Sequence, residues 1–279
     1  MKLLKIFIIP IAAVPILFGC TDYPIYDIAY PDHGEIVSLT TDWTNRGIGI
    51  DIPANYIVQV GDYSTTLTGT TNSVESIFPV GEYIIDVWNT ADNITVSDLI
   101  ATADYAAGRL GWFFTGRQEI AIEKNGDYSI IVHMQQQVRQ LTLELDVTGD
   151  AKDRLTGIDA TLSGVASALN IDNGTHDAPV VTALTFTEDP TDGKWKVTVR
   201  LLGITGNSQT LTTVLNFVDK NPSSCTHSSD LSSLLAAFNA DKKTPLTLSA
   251  QLVETPTGAG ITTIITDWIS GEISEGTAN

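Results

Sequence analysis

What most constrains this chain is a set of short stretches in which apolar and polar residues alternate, each closed off by Gly, Asn, Asp or Pro. Leu141-Thr142-Leu143-Glu144-Leu145-Asp146-Val147 is the cleanest. Successive side chains of a strand point to opposite faces, so a period of two gives one face to a core and the other to water, whereas a helix would scatter the same residues around its circumference. Ile36 to Trp43, Tyr56 to Val60, Tyr83 to Trp88, Glu119 to Glu123 and Tyr128 to Val132 are short β-branched runs of this kind in the first half. Ala160 to Ala166, Val180 to Thr187, Trp195 to Gly203, Gln209 to Val218, Leu246 to Val253 and Ile261 to Trp268 follow in the second. With turns such as Asp172-Asn173-Gly174 and Asp192-Gly193 between them, they predict an all-β fold of antiparallel sandwiches. Asn125-Gly126-Asp127 predicts a hairpin between the strands on its two sides. Asp98 to Leu110 reads as one helical turn or an irregular crossover. Ser229 to Asn239 departs from β: Leu231, Leu234, Leu235 and Phe238 fall on one helical face behind a Ser/Asp cap, predicting a short helix that plugs one end of the second sandwich.

The N-terminus predicts export. Lys2 and Lys5 precede an apolar run from Ile6 to Phe18, which is too short, and too interrupted by Pro10 and Pro15, to span about 30 Å of hydrocarbon as a helix. Leu17-Phe18-Gly19-Cys20 resembles the lipobox of bacterial lipoproteins. The resemblance implies a cut between Gly19 and Cys20, a diacylglyceryl group on the Cys20 thiol, and acylation of the new N-terminus. Two or more acyl chains are what lasting attachment requires, because one holds only marginally. The organisation expected is a signal peptide over 1–19, an extended tether over 20–34, sandwiches over 35–135 and 136–270, and a loose polar tail over 271–279. Met134 to Gln140 is polar but unbroken by Gly or Pro and runs straight into Leu141 to Val147, so the two sandwiches should sit in a fairly fixed relation.

Composition excludes several classes. Once Lys2 and Lys5 leave with the signal, 13 basic residues face 33 acidic ones, a net charge of −20. Such a surface repels phosphate backbones and offers no basic patch to an anionic bilayer, so nucleic acid is excluded as a partner and membrane attachment falls to the lipid alone. With Cys20 lipidated, Cys225 has no partner for an internal disulfide. Cys225 reads as part of a polar loop, Asn221 to His227, and two potential ligands do not make a zinc site. His33, His133, His176 and His227 are scattered and lack a second ligand at useful spacing. Asp189-Pro190-Thr191-Asp192-Gly193 lacks the downstream Glu of a calcium loop. No cofactor, metal or catalytic residue is expected, and the chain does not read as an enzyme. Trp43, Trp88, Trp195 and Trp268 lie at strand ends and read as core; Trp112 is the one expected nearest the surface. Exposed, such rings would suit a second class of function, a surface lipoprotein that binds polysaccharide.

The order of Leu39-Thr40-Thr41-Asp42-Trp43, Phe78-Pro79-Val80-Gly81-Glu82-Tyr83, Ile84-Ile85-Asp86-Val87-Trp88-Asn89, Val138-Arg139-Gln140-Leu141-Thr142-Leu143 and Leu162-Ser163-Gly164-Val165-Ala166 resembles the fimbrillin-associated anchor and minor-subunit family of type V pili, found on Bacteroides-like bacteria. Leu201-Leu202-Gly203, Phe238-Asn239 and Ile264-Ile265-Thr266-Asp267-Trp268 extend the likeness over nearly the whole mature chain. The resemblance implies two transthyretin-like Greek-key sandwiches, lipid display on the outer membrane, and a place at the base of a fimbrium with pilus subunits as partners. In related shaft subunits a first strand is excised after Arg or Lys and the groove takes a donor strand. An anchor, which carries its lipid on that strand, retains it. Arg46 in Thr44-Asn45-Arg46-Gly47 is the corresponding candidate for a protease-sensitive loop, its plainer reading being an ordinary loop arginine.

Overall fold

A computed structural model describes residues 32–149, 151–218, 223–257 and 260–271. Gly19 and Cys20, with the signal and most of the tether, lie outside the described residues, as does the tail from 272. In chain order the first half holds β1 (His33–Asn45), β2 (Asn55–Val60), β3 (Tyr63–Thr68), β4 (Thr71–Asn72), β5 (Ile77–Pro79), β6 (Gly81–Asn89), β7 (Ile94–Ser97), β8 (Ile100–Ala103), β9 (Phe114–Ile122) and β10 (Asp127–Gln136). The second holds β11 (Arg139–Val147), α1 (Ala151–Arg154), β12 (Leu155–Asn170), β13 (His176–Glu188), β14 (Trp195–Leu201), β15 (Thr210–Phe217), β16 (Ser224–Asp230), α2 (Ser232–Leu235), β17 (Leu246–Thr257), β18 (Gly260–Ile265) and β19 (Ile269–Ser270).

The fold is all-β, with two sandwiches in tandem. In the first, β3-β2-β6-β9 faces β10-β1, which is extended by β4 and β5. Ile36, Leu39, Tyr56, Val58, Ile85 and Val132 fill the space between, and Trp43 sits edge-on to Phe114 with ring centroids 5.4 Å apart. In the second, β16-β15-β12-β13 faces β14-β11-β17-β18. β11 shows the alternation in physical form: Leu141, Leu143, Leu145 and Val147 are buried, while Gln140, Thr142, Glu144 and Asp146 lie between them at the surface side. Each sandwich is closed by the same device, a first strand pairing parallel with its last long core strand: β1 with β10, and β11 with β17.

Three features depart from the sequence reading. The Asn125-Gly126-Asp127 turn does not make a hairpin. β9 and β10 meet only at Thr115–Gln135 and Phe114–Gln136, far from the turn. Both strands turn apolar faces inward, Ile120 and Ile122 on one and Val132 and Met134 on the other, so the chain arches across the core into the opposite sheet. Gly116, where a Cβ would lie 2.6 Å from Val132 Cγ1, lets the strands touch at the corner. The segment 98–110 is neither helix nor crossover alone: β7 and β8 form a hairpin, and β8 pairs with β12 of the second sandwich. Cys225 lies not in a loop but in β16, half-buried against the second core. That strand also takes Ser229 and Asp230, shortening the expected helix to α2 and a following turn; Leu231, Leu235 and Phe238 do plug the second core.

β12 can serve two partners because it bends. Between Leu162 and Val165 the ladder slips by a bulge, at which Gly164 takes φ +72° with Ser208 O 2.6 Å from where a Cβ would be. Before the bulge β12 pairs with β15, and beyond it with β8. Replacing the fully buried Leu143 by Ala should cost about 3 kcal/mol of stability through lost burial and a residual cavity. Thr142→Ala, on the opposite face, should stay within about 0.5 kcal/mol. Urea unfolding of the two variants checks the pair, and equal losses would mean that the period-two assignment of β11 is wrong.

Candidate interaction edges and the interdomain clasp

A sandwich offers its partners two kinds of surface, the open edges of its sheets and the seams between its parts. In the first sandwich the edge of β1 is already covered. β5 pairs along His33–Glu35, Val74 N–H donates to Ile36 O at 3.2 Å, and β4 pairs at Leu39–Thr40. β3 has no strand on its outer side among the described residues, and at its end the Thr68 carbonyl accepts from Asn72 Nδ2 at 2.9 Å.

Outside its two pairs with β14, β13 has an open edge too, and β16 is open along its whole length among the described residues. It pairs with β15 over the whole run from Ser224 to Asp230 without a register shift, and no further strand pairs with it among the described residues. Phe217 N–H donates to Ser223 O and Leu231 N–H to Gln209 O, which sets the phase of the ladder. In an antiparallel pair alternate residues turn both backbone groups toward the partner. Cys225, His227 and Ser229 therefore bond to β15, while Ser224, Thr226, Ser228 and Asp230 present their N–H and C=O outward. The strand carries no Lys, Arg or Pro, the usual devices that keep an edge from pairing. His227 faces inward, its Nε2 2.8 Å from Thr263 Oγ1, and burial lowers its pKa.

The seam between the sandwiches is a clasp built on the short linker from β10 to β11. Gln136 is buried; its Oε1 accepts from Gly47 N–H at 2.8 Å, and its Nε2 donates to Val138 O at 2.8 Å and Lys242 O at 2.6 Å. Arg139, also buried, donates from Nε to Thr244 O at 2.7 Å and from Nη1 to Phe238 O at 3.0 Å, its guanidinium 5.0 Å from the Phe238 ring centroid. Arg117 of β9 joins Asp86 at 3.3 Å and reaches across to Asp172 in the turn after β12. Arg200 stacks 4.0 Å from the Trp112 ring centroid and donates to Leu110 O. Trp88, Ala101, Phe113, Val138, Leu169 and Leu202 make an apolar layer beneath.

Near the clasp, Lys242 Nζ donates to Gln137 Oε1 at 2.5 Å and lies 3.2 Å from His176 Nε2. Burial, then the neighbouring ammonium, push His176 down to about 4, and burial pushes Lys242 down to about 8.

The residues singled out from sequence are thus dispersed. Arg46 is exposed but occupied: its Nε donates to Ile50 O at 2.9 Å and its Nη1 to Trp43 O at 3.1 Å, tying the turn after β1. His133 Nδ1 lies 2.8 Å from Asp42 Oδ2. Asp189 and Asp192 both accept from Lys196 Nζ, at 2.9 and 2.7 Å, and so hold a lysine. Trp43, Trp88 and Trp268 are buried, and Trp112 and Trp195 half-buried. β16 and the Lys242 cluster were not legible in sequence; the only signal for β16 was a Ser/Thr run without Gly, which also fits a loop.

Two stacked-sheet modules with a bare edge and a rigid seam define a tandem sandwich of the fimbrial and adhesin kind. The chain belongs to the family of fimbrillin-A associated anchor proteins Mfa1 and Mfa2, whose model matches residues 51–273. That family is one of structural, fimbrium-associated surface proteins. No curated protein sequence matches. Among solved structures, the fold is similar to that of the fimbrial anchor protein Mfa2 from Porphyromonas gingivalis, with TM-score 0.55 and 9% identity over 85% of this chain and 98% of that one. A candidate adhesin from Bacteroides ovatus gives TM-score 0.59 and 14% identity over 86% and 96%. A candidate polysaccharide-binding protein from Bacteroides thetaiotaomicron gives 0.55 and 13% over 88% and 99%.

The histidines make stability depend on pH in a defined direction. Because His176 binds its proton less readily folded, at about 4, than at the ordinary imidazole value of 6.5, its contribution is complete above 6.5 and is lost as pH falls toward 4. His227 acts in the same sense. The urea midpoint should therefore fall between pH 7 and 4.5, and His176→Asn should flatten that fall; a midpoint independent of pH over this window would remove His176 from the account.

Proposed function

We propose that this chain is a lipid-anchored base or accessory subunit of a fimbrium, which holds a neighbouring subunit by adding that subunit's strand to the edge of β16. Cys20 carries the lipid after cleavage behind Gly19, and the sandwiches over 35–135 and 136–270 stand on the outer membrane above the tether. The observation that carries the reading is the bare edge. Outward N–H and C=O groups at Ser224, Thr226, Ser228 and Asp230 are what a donated strand pairs with, and membership of an anchor family supports a fimbrial subunit as its donor. The covered edge of β1 supports retention of the first strand. Arg46, its guanidinium held by the Trp43 and Ile50 carbonyls, fits a tied turn better than a cut site. The competing class, an aromatic platform for polysaccharide, would need coplanar exposed tryptophans. Three of the five are buried, and Trp112 is covered on one face by Arg200.

Two variants separate anchoring from docking. Cys20→Ala should release the chain to the medium and leave fimbriae longer and shed; cells that keep normal attached fimbriae would rule the anchor role out. Ser228→Pro removes an outward N–H without touching the ladder to β15, so it should keep Tm within about 4 °C, equivalent to roughly 1 kcal/mol. It should also remain on the cell surface yet fail to co-purify with fimbrial subunits. Undiminished co-purification would place the docking edge elsewhere.

A further inference from the structure

Beyond fimbrial attachment, the seam between the sandwiches holds a polar cleft whose chemistry is not that of strand pairing. It has a volume of about 520 Å³ and is lined by Asn45 and Gln135 from the first sandwich and by Gln137, His176, Lys242 and Lys243 from the linker and the second. This is within the ~300–1,000 Å³ of small-ligand sites. Its floor is a cation without a counter-ion: among the described residues no carboxylate lies within ion-pair distance of Lys242 Nζ, whose partners are the neutral oxygen of Gln137 and the nitrogen of His176. An ammonium has three protons to donate, and these partners take two. The carboxylate nearest in sequence, Asp241, is turned away, accepting from Lys243 N–H and Thr244 N–H at 3.2 Å and facing Arg139. Lys242 is half-buried, and a charge partly withdrawn from water is costly unless something of opposite sign completes it.

The wall above the ammonium is amide. Gln136 and Asn239 are used up by the fold, on Gly47, Val138 and Lys242 and on Ile204 respectively. The side chains of Asn45 and Gln135 line the same cleft and are absent from the hydrogen bonds of the described residues. Carboxamides offer a donor pair and an acceptor on one planar group, which matches vicinal hydroxyls.

We propose that this cleft binds a hexuronate residue of an acidic polysaccharide, Lys242 taking the carboxylate and the amides of Asn45 and Gln135 taking ring hydroxyls. A surface with net charge −20 after signal removal repels polyanions at long range, so the affinity is local and weak, in the millimolar range for one sugar unit, about 4 kcal/mol. His176, Lys243 and Asp241 are the other titratable groups of the lining. Since burial alone holds Lys242 down to about 8, the ammonium that receives the carboxylate is lost above that pH, and binding with it. The site is independent of β16, so fimbrial docking and sugar binding can fail separately.

The test is titration of the detergent-solubilised full chain with galacturonate, galactose, acetate and a neutral-capped peptide ending in a free carboxylate, read by backbone amide shifts. Galacturonate should shift Gln135, Gln137 and Lys242, and galactose should not. Affinity for galacturonate should drop at least tenfold, about 1.4 kcal/mol, in Lys242→Met and between pH 7 and 9.5. Asn45→Ala, which breaks no hydrogen bond of the fold, should weaken binding a few-fold at unchanged Tm, and keeps the test alive if Lys242→Met fails to fold. Acetate or the peptide binding as well as galacturonate would overturn the sugar assignment. An absence of shifts at these residues up to about 50 mM, well above a millimolar dissociation constant, would overturn the site itself.

Discussion

One buried amide and one buried guanidinium hold the linker between the two halves of this molecule. Gln136 and Arg139 flank a linker only a few residues long, and both spend their hydrogen bonds on backbone carbonyls and N–H groups of distant segments. A carbonyl at a loop end has no other way to be satisfied once it is shut away from water, and the cost of leaving it bare is about 1–3 kcal/mol. The linker therefore cannot flex without exposing several such groups at once. Arg139 is held mainly by neutral carbonyls and an aromatic face; burial lowers its pKa, and Asp241 nearby offsets part of that cost. The β7–β8 hairpin adds a second tie: sequence places it in the first half, hydrogen bonding places it on β12, and Tyr105 Oη donates to Ala166 O. Two such ties would resist motion at the seam, which suits the base role proposed above.

The two sandwiches solve the same closure problem and treat their edges differently. Both pair the first strand in parallel with a late one, which joins the start and end of each module in one sheet. The first sandwich then spends β4, β5 and the segment between them on covering β1. The second, among the described residues, leaves β16 uncovered, with no charge, proline or bulge to discourage pairing except Asp230 at its end. An unprotected edge is a liability in a soluble protein. Its persistence beside a well-covered one is the contrast from which the docking reading draws its force.

How much of this could be read beforehand varied with side-chain chemistry. Strands with apolar alternation, such as β11 and β15, announced themselves because burial and period coincide. β16 did not: Ser224 to Asp230 contains Cys225 as its one apolar residue, so it has no period to detect, and its strand state comes from ladder bonds to β15. The Asn125-Gly126-Asp127 turn was read correctly as a turn and wrongly as a hairpin, because turn residues specify a reversal of direction and say nothing about whether the two strands share a sheet. Trp43, Trp88 and Trp268 were placed rightly in the core from their strand-end positions, whereas Trp195, read with them, is half-buried. No spacing in the chain relates Lys242, His176 and Gln137, which come together from three separate segments.

By itself the sequence determined the all-β class, the alternation of inward and outward faces along strands such as β11 and the acidic surface, since each depends on residues adjacent in the chain or on composition. Tertiary structure decided which strands share a sheet, which edges are left unpaired among the described residues, and where a half-buried lysine sits without a carboxylate. Those outcomes rest on the balance of burial against unsatisfied hydrogen bonds among segments up to about a hundred positions apart, as from Gln136 to Lys242, and that balance exists only once the sheets have closed.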